Sequence, residues 1–215
     1  NEQTYPRLAD VIGFFTPEKL VDVAKAGLTI HRDFGDRTDR KHARLKYVVA
    51  ERGVKFMPAR PYQFTTMQDL LGWRKAVDGS WFLGLFVNMG RVKDAQKTAL
   101  RQVAEKFPHI EFRLTANQNV LLANASDADK VAITALLNVA GVKTENQATV
   151  LHAASMACPS LPTSGLGLAE SERYLPGLID RLEMVCADLG LGGEEIVIRS
   201  TGCPNGCARP YVAEI

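Results

Sequence analysis

No stretch of the sequence reaches the roughly 18 consecutive apolar residues that a membrane span requires. Its opening, NEQTYPRLAD, lacks the charged segment and following apolar core of a secretory signal. These absences lead us to expect a cytoplasmic protein that does not engage a membrane. Charge is also nearly balanced: 26 basic and 24 acidic residues leave a formal net charge of +2, too little to argue for nucleic acid as a partner. Internal repeats and low-complexity tracts are missing, so organisation must be read from periodicity and punctuation. What remains is a 215-residue chain, 46% hydrophobic, long enough to bury a substantial core as one large domain or two small ones. It starts at Asn1 without methionine and stops in the apolar run PYVAEI, so further sequence is expected at both ends.

FTPEKLVDVAKAG reads as a short helix, with Thr16 as N-cap, Pro17 in the first turn and Gly27 as the stop. RTDRKHARLKYVVAERG reads as a second helix, or a helix running into a strand, closed by Gly53. A proline-broken stretch, FMPARPYQF, follows. SWFLGLFVN is then strand-like, DAQKTALRQVAEKF helical up to Pro108, IEFRLT and NVLLAN strand-like, and Ser126 caps a helix reaching about Val139. That β-α-β-β-α order predicts an α+β fold, with helices covering one face of a mixed or largely antiparallel sheet. The last third changes texture after a boundary near residue 145. A Pro/Gly/Ser loop leads to a helix from about Ala169 to Gly190, and EEIVIRST supplies a strand that delivers Cys203 to a turn.

Cysteine is scarce, and its four positions are Cys158, Cys186, Cys203 and Cys207. Structural disulfides are not expected in a reducing compartment, which leaves metal or redox roles. Cys186 lies inside an amphipathic helix and reads as a small buried apolar side chain. The other three sit in loops beside Pro or Gly, where backbone amides can turn toward sulfur, as an iron–sulfur cluster needs. Zinc is the alternative. CPNGC supplies one ligand pair for it, but no nearby Cys or His pair supplies the second, and His152 could only complete an irregular set.

TGCPNGCARPYVAEI and MACPSLPTSGLGLAESERYLP together resemble the siroheme and 4Fe-4S sulfite and nitrite reductases, most closely the hemoprotein subunits of assimilatory sulfite reductases. TYPRLADVIGFFTPEKL, RDFGDRTDRKHARLKY, RPYQF and FRLTANQNVLLA follow that family's running order. The resemblance implies an oxidoreductase that reduces sulfite to sulfide by six electrons, with nitrite as the near alternative substrate. It also implies a two-half fold with siroheme between the halves, and electrons from a flavoprotein subunit using NADPH, or from ferredoxin. Residues 1–62 then correspond to a linker and basic segment, 63–145 to a ferredoxin-like half, and 146–215 to the iron–sulfur and siroheme segment. A cluster- or zinc-stabilised module that binds a redox partner but no heme is the competing reading.

In that family the cluster is held by a C-x5-C pair and a C-x3-C pair. Cys158, Cys203 and Cys207 match three of these ligands, Cys207 being the thiolate shared with the siroheme iron. Gln118 and Asn205 match residues that contact the macrocycle. Where the fourth thiol is expected this chain has Ser164, a harder and far less acidic donor that should hold iron poorly. The basic block DRTDRKHARLKY would by itself be a solvated helix face. By resemblance, Arg44 and Lys46 match paired cations at the anion side of the heme, Arg44 as a clamp and Lys46 as a proton donor. Arg113 is a candidate partner for a siroheme carboxylate. None of His31, His42, His109 and His152 is required as an iron ligand, and His42 reads as solvated or structural.

Overall fold

The computed structural model describes Tyr5, residues 13–53 and residues 68–215. The chain forms two compact units, Asn1–Thr65 and Thr66–Ile215. The proline-broken stretch and the blocks TYPRLADV and RPYQF lie mostly or wholly outside the described residues.

In the first unit a 3-10 turn, Pro17–Lys19, leads into α1, Leu20–Phe34. The helix therefore runs through Gly27 instead of stopping there. A helical glycine costs only about 1 kcal/mol relative to alanine, and the apolar spacing continues beyond it. Thr16 makes no side-chain cap. The actual stop is Gly35, where a Cβ would lie 2.4 Å from the His31 carbonyl oxygen. The basic block is not helical along its length. Asp36 accepts bonds from the Thr38 amide (2.7 Å), the Thr38 hydroxyl (2.7 Å) and the Asp39 amide (3.1 Å), which holds the segment in turns. Only Leu45–Arg52 forms a helix, α2, ended by Gly53 at φ +66°.

The second unit begins with a strand that the sequence reading did not anticipate. β1 (Gly72–Lys75) pairs antiparallel with β2 (Trp81–Leu85), so the order is β-β-α-β-β-α. GWRK carries little apolar alternation, but the Asp78–Gly79 turn beside it, with Gly79 at φ +87°, is a hairpin signal. α3 (Asp94–Lys106), β3 (Glu111–Leu114), β4 (Val120–Ala125) and α4 (Asp127–Val139) follow as expected. The sheet order is β1-β2-β4-β3, antiparallel throughout. Leu83, Leu85, Val120 and Leu122 point from one sheet face onto Ala99, Leu100 and Val103 of α3 and Ile133 and Leu137 of α4, forming the larger core. The expected α+β architecture is thus the observed one.

A short helix α5 (Val150–Ala154) precedes β5 (Met156–Ala157), which pairs in parallel with β6 (Arg199–Ser200). Between them lies α6, Leu175–Asp188, beginning later than the expected Ala169. Residues 169–174 are instead committed to the cysteine loop. The Ser171 hydroxyl, fully buried, donates to the Ser200 carbonyl at 2.8 Å, and the Glu172 amide donates to the Cys158 carbonyl at 3.1 Å. A second core of Met89, Leu151, Ala157, Leu175, Ile179 and Ile198 underlies this region, with half-buried Cys186 packed against it.

Candidate metal and cofactor site

Two loops carry the three thiols. Cys158 leaves β5 and is buried, with its amide donating to the Ser200 carbonyl at 3.1 Å. The Gly202 amide donates to Cys158 Sγ at 3.3 Å, an N–H···S contact. Gly202 is obligatory at that approach. A Cβ there would sit 1.6 Å from Ser160 Oγ and 2.6 Å from the Ala169 carbonyl oxygen. Leu168 and Ala169 donate in turn to the Gly202 carbonyl, so the loop after Cys158 is stitched to the segment that enters CPNGC. That turn carries Cys203, half-buried, and Cys207, exposed, and closes through Gly206 at φ +62°. All four cysteines are free.

Ser164 lies half-buried in the same loop, its hydroxyl accepting from the Leu166 amide at 3.3 Å. A hydroxyl thus occupies the position at which the resemblance calls for a thiol. The donor set suits an iron–sulfur cluster with three sulfur ligands, since all three are soft thiols on loops and one of them, Cys158, is faced by a backbone amide.

The loop from Thr115 to Asn119 meets this region. Gln118, at φ +67°, donates from Nε2 to the Ala157 carbonyl at 2.8 Å, one residue before Cys158. Arg209 Nη2 donates to the Ala116 carbonyl at 2.5 Å. The loop is shaped by Asp69, which accepts from Thr115 Oγ1 (2.5 Å) and Asn119 Nδ2 (2.8 Å). Buried Asn119 also accepts from the Val87 amide at 2.9 Å. A cleft of about 520 Å³ opens here, lined among others by Gly90, Gln118, Pro159, Thr163 and Glu172. Arg91 braces its wall by donating from Nε to Glu172 at 2.7 Å, and this hydrogen bond holds the Glu172 carboxyl below its ordinary value despite partial burial. A slightly larger cleft, about 590 Å³ beside the start of α3, contains no cysteine.

Asn205 is exposed at the tip of CPNGC. Arg113 is engaged by Glu111 two residues earlier on β3, with Nε 3.0 Å from Oε2. Arg44 and Lys46 belong to the first unit. Arg44 is exposed, whereas the Lys46 ammonium donates to the Tyr5 carbonyl and lies 5.0 Å and 4.9 Å from the ring centroids of Tyr5 and Tyr47. His42 Nδ1 lies 3.0 Å from Asp39, and its ring sits edge-on to Tyr47. His152 does not join the cysteines. Its Nδ1 lies 3.2 Å from Glu183 and its Nε2 3.8 Å from Asp180, so carboxylates face both ring nitrogens. Sequence reasoning missed Asp69, Asn119, Arg91 and Gly202, although the density of amide side chains in TANQN marks a loop that needs internal bonds.

The second unit is thus a four-stranded antiparallel sheet under two helices, continued by a glycine-shaped thiol loop. The chain as a whole superposes on the structure of the Mycobacterium tuberculosis NirA protein with a TM-score of 0.69 and 25% identity, over 95% of this chain and 40% of that one. The Nitrite/Sulfite reductase ferredoxin-like half domain matches residues 74–140, and the Nitrite and sulphite reductase 4Fe-4S domain matches residues 1–57. The second match contains none of the four cysteines. Over 228 residues the chain is 45% identical to the sulfite reductase (NADPH) hemoprotein beta-component of Paenibacillus sp., covering 99% of this chain and 40% of that protein. The corresponding protein of Myxococcus xanthus is 45% identical over 229 residues, with 99% and 41% covered. The chain belongs to the nitrite and sulfite reductase family. It spans about two fifths of the length of the curated relatives it matches. Among the described residues no helix is long and apolar enough to cross a membrane.

Proposed function

We propose that this chain is the cluster-bearing part of a sulfite reductase hemoprotein, which reduces sulfite to sulfide with electrons from an NADPH-dependent flavoprotein, in a reducing, cytoplasmic setting. The observation that carries the reading is the joining of Cys158 to the CPNGC segment through the Gly202 amide, next to the loop of Gln118, in a chain 45% identical to such hemoproteins. Cys158, Cys203 and Cys207 would hold a 4Fe-4S cluster, with Cys207 the exposed thiol available to siroheme. When bound, cluster and siroheme supply electrons and the iron at which the anion is reduced. The protein's own part would be to face Cys158 with the Gly202 amide, to fix the loops through Asp69, Ser160 and Ser171, and to present Gln118 and Asn205 toward the macrocycle. At the anion, Arg44 would act as a clamp and Lys46 as a proton donor; within its own unit the Lys46 ammonium donates to the Tyr5 carbonyl and lies by the Tyr5 and Tyr47 rings. Nitrite is the second substrate to assay, since both family descriptions name both reductases.

The test is anaerobic iron and sulfide loading of the wild type and of C158S, C203S, C207S and C186S. The first three variants should lose most of the bound iron and sulfide, and C186S should match the wild type. Equal loading in all five proteins contradicts the assignment.

A further inference from the structure

The parallel pairing of β5 with β6 sets Met156 beside Arg199 and Ala157 beside Ser200. Alternate residues of an extended chain share a face, so Met156 and Cys158 share one with Arg199 and Thr201. Ala157 and Ile198 face the opposite way, into the second core. On the thiol-bearing side Met156, Cys158 and Ala208 pack together. Two buried polar atoms on that side have no hydrogen-bond partner among the described residues: Nε of Arg199 and Oγ1 of Thr201.

Arg199 is only 8% exposed, yet among the described residues no carboxylate pairs with it or with Arg209. Its Nη1 lies 2.9 Å from Met156 Sδ, and Arg209 Nη2 lies 3.9 Å from the same sulfur. Burial first, and then the Arg209 charge, pull the Arg199 guanidinium below its ordinary value. A buried cation without an acid, beside an unpaired buried hydroxyl, is a charge arrangement awaiting an anion. The nearest proposed cluster ligand along the strands is Cys158: its amide donates to the Ser200 carbonyl at 3.1 Å, so Thr201 is next in register beside it, and its Sγ accepts the Gly202 amide.

We infer that Arg199 and Thr201 are the residues that balance the negative charge of the cluster at Cys158 and thereby set its reduction potential. The inference rests on the cluster reading above. One-electron reduction makes a thiolate-ligated cluster more negative by one charge. A nearby guanidinium and a hydroxyl donor stabilise that reduced form and raise the midpoint. Neither residue is a ligand, and both act from the strand face they share with Cys158.

The test is a redox titration of the purified holoprotein with dithionite and ferricyanide, followed by electron paramagnetic resonance, with siroheme and iron quantified on each sample. R199Q and T201V should shift the cluster midpoint to more negative potential, and R199K and T201S should return it toward the wild-type value. T201V removes the hydroxyl at nearly constant volume, so it decides the matter if R199Q fails to fold. Unchanged midpoints with full cluster content overturn the inference. Loss of siroheme with an unmoved midpoint also overturns it, assigning the buried cation to the carboxylates of the macrocycle. Wild-type protein that takes up no iron brings down the cluster reading itself, a different failure from an unmoved midpoint.

Discussion

A single hydroxyl, that of Ser164, separates the cysteine loop from a complete four-thiol set. Its oxygen accepts the Leu166 amide in a local turn, and its own amide donates to the Ser160 carbonyl at 2.7 Å. The backbone of the loop is therefore built, and only the donor atom differs from what the resemblance requires. Oxygen is a harder donor than sulfur and an alcohol is far less acidic than a thiol, so one iron should be weakly held. We expect the wild-type cluster to lose iron to a chelator faster than S164C, and to give a three-iron paramagnetic signal on oxidation that S164C suppresses. Identical iron retention in the two proteins would show that position 164 does not approach the cluster. Loop position singled out the three thiols and resemblance this serine, because ligand chemistry demands particular side chains. Arg199 and Thr201 were not legible. A basic residue and a threonine in a strand look ordinary until pairing shows which face they share.

At the scale of the element, local chemistry predicted best where a boundary has its own hydrogen bonds. Ser126 accepts the Asp129 amide while Asp129 accepts the Ser126 amide at 2.9 Å, a reciprocal box that starts α4 where the sequence placed it. S126A should cost about 1 kcal/mol, read as a lower melting temperature, and an unchanged melting temperature would deny the cap a role. The Ser126 hydroxyl and amide, with His109 beside them, also pull the Asp129 carboxyl from 3.8 down to about 2. A carboxyl lowered on folding stabilises the fold above its unfolded value and loses that contribution as pH falls through its folded value. Stability should therefore decline between about pH 4 and pH 2, and D129N, which has nothing to titrate, should flatten that part of the profile. Boundaries failed where tertiary bonds decide. α6 begins at Leu175 because residues 169–174 are bonded to the cysteine loop, and α1 passes Gly27 because nothing there supplies a competing bond. β1 went unseen because GWRK gains its strand character from pairing with β2, not from its own pattern.

For the whole molecule, the α+β class and the family were readable because the quoted blocks recur in order along the chain. The division into units falls at Thr65/Thr66, just after a stretch of sequence that holds Pro58 and Pro61. The second unit carries all three loop thiols and the amide-rich loop that meets them, so it holds every side chain on which the cofactor assignment depends. A chain covering two fifths of its relatives' length can be a cofactor carrier whatever the remaining sequence contributes to catalysis. The most direct measurement is an absorption spectrum of the isolated protein, with iron, acid-labile sulfide and siroheme determined on the same sample. The account predicts siroheme bands with iron and sulfide in comparable amounts. A colourless protein, or one whose bound metal is zinc, would contradict it.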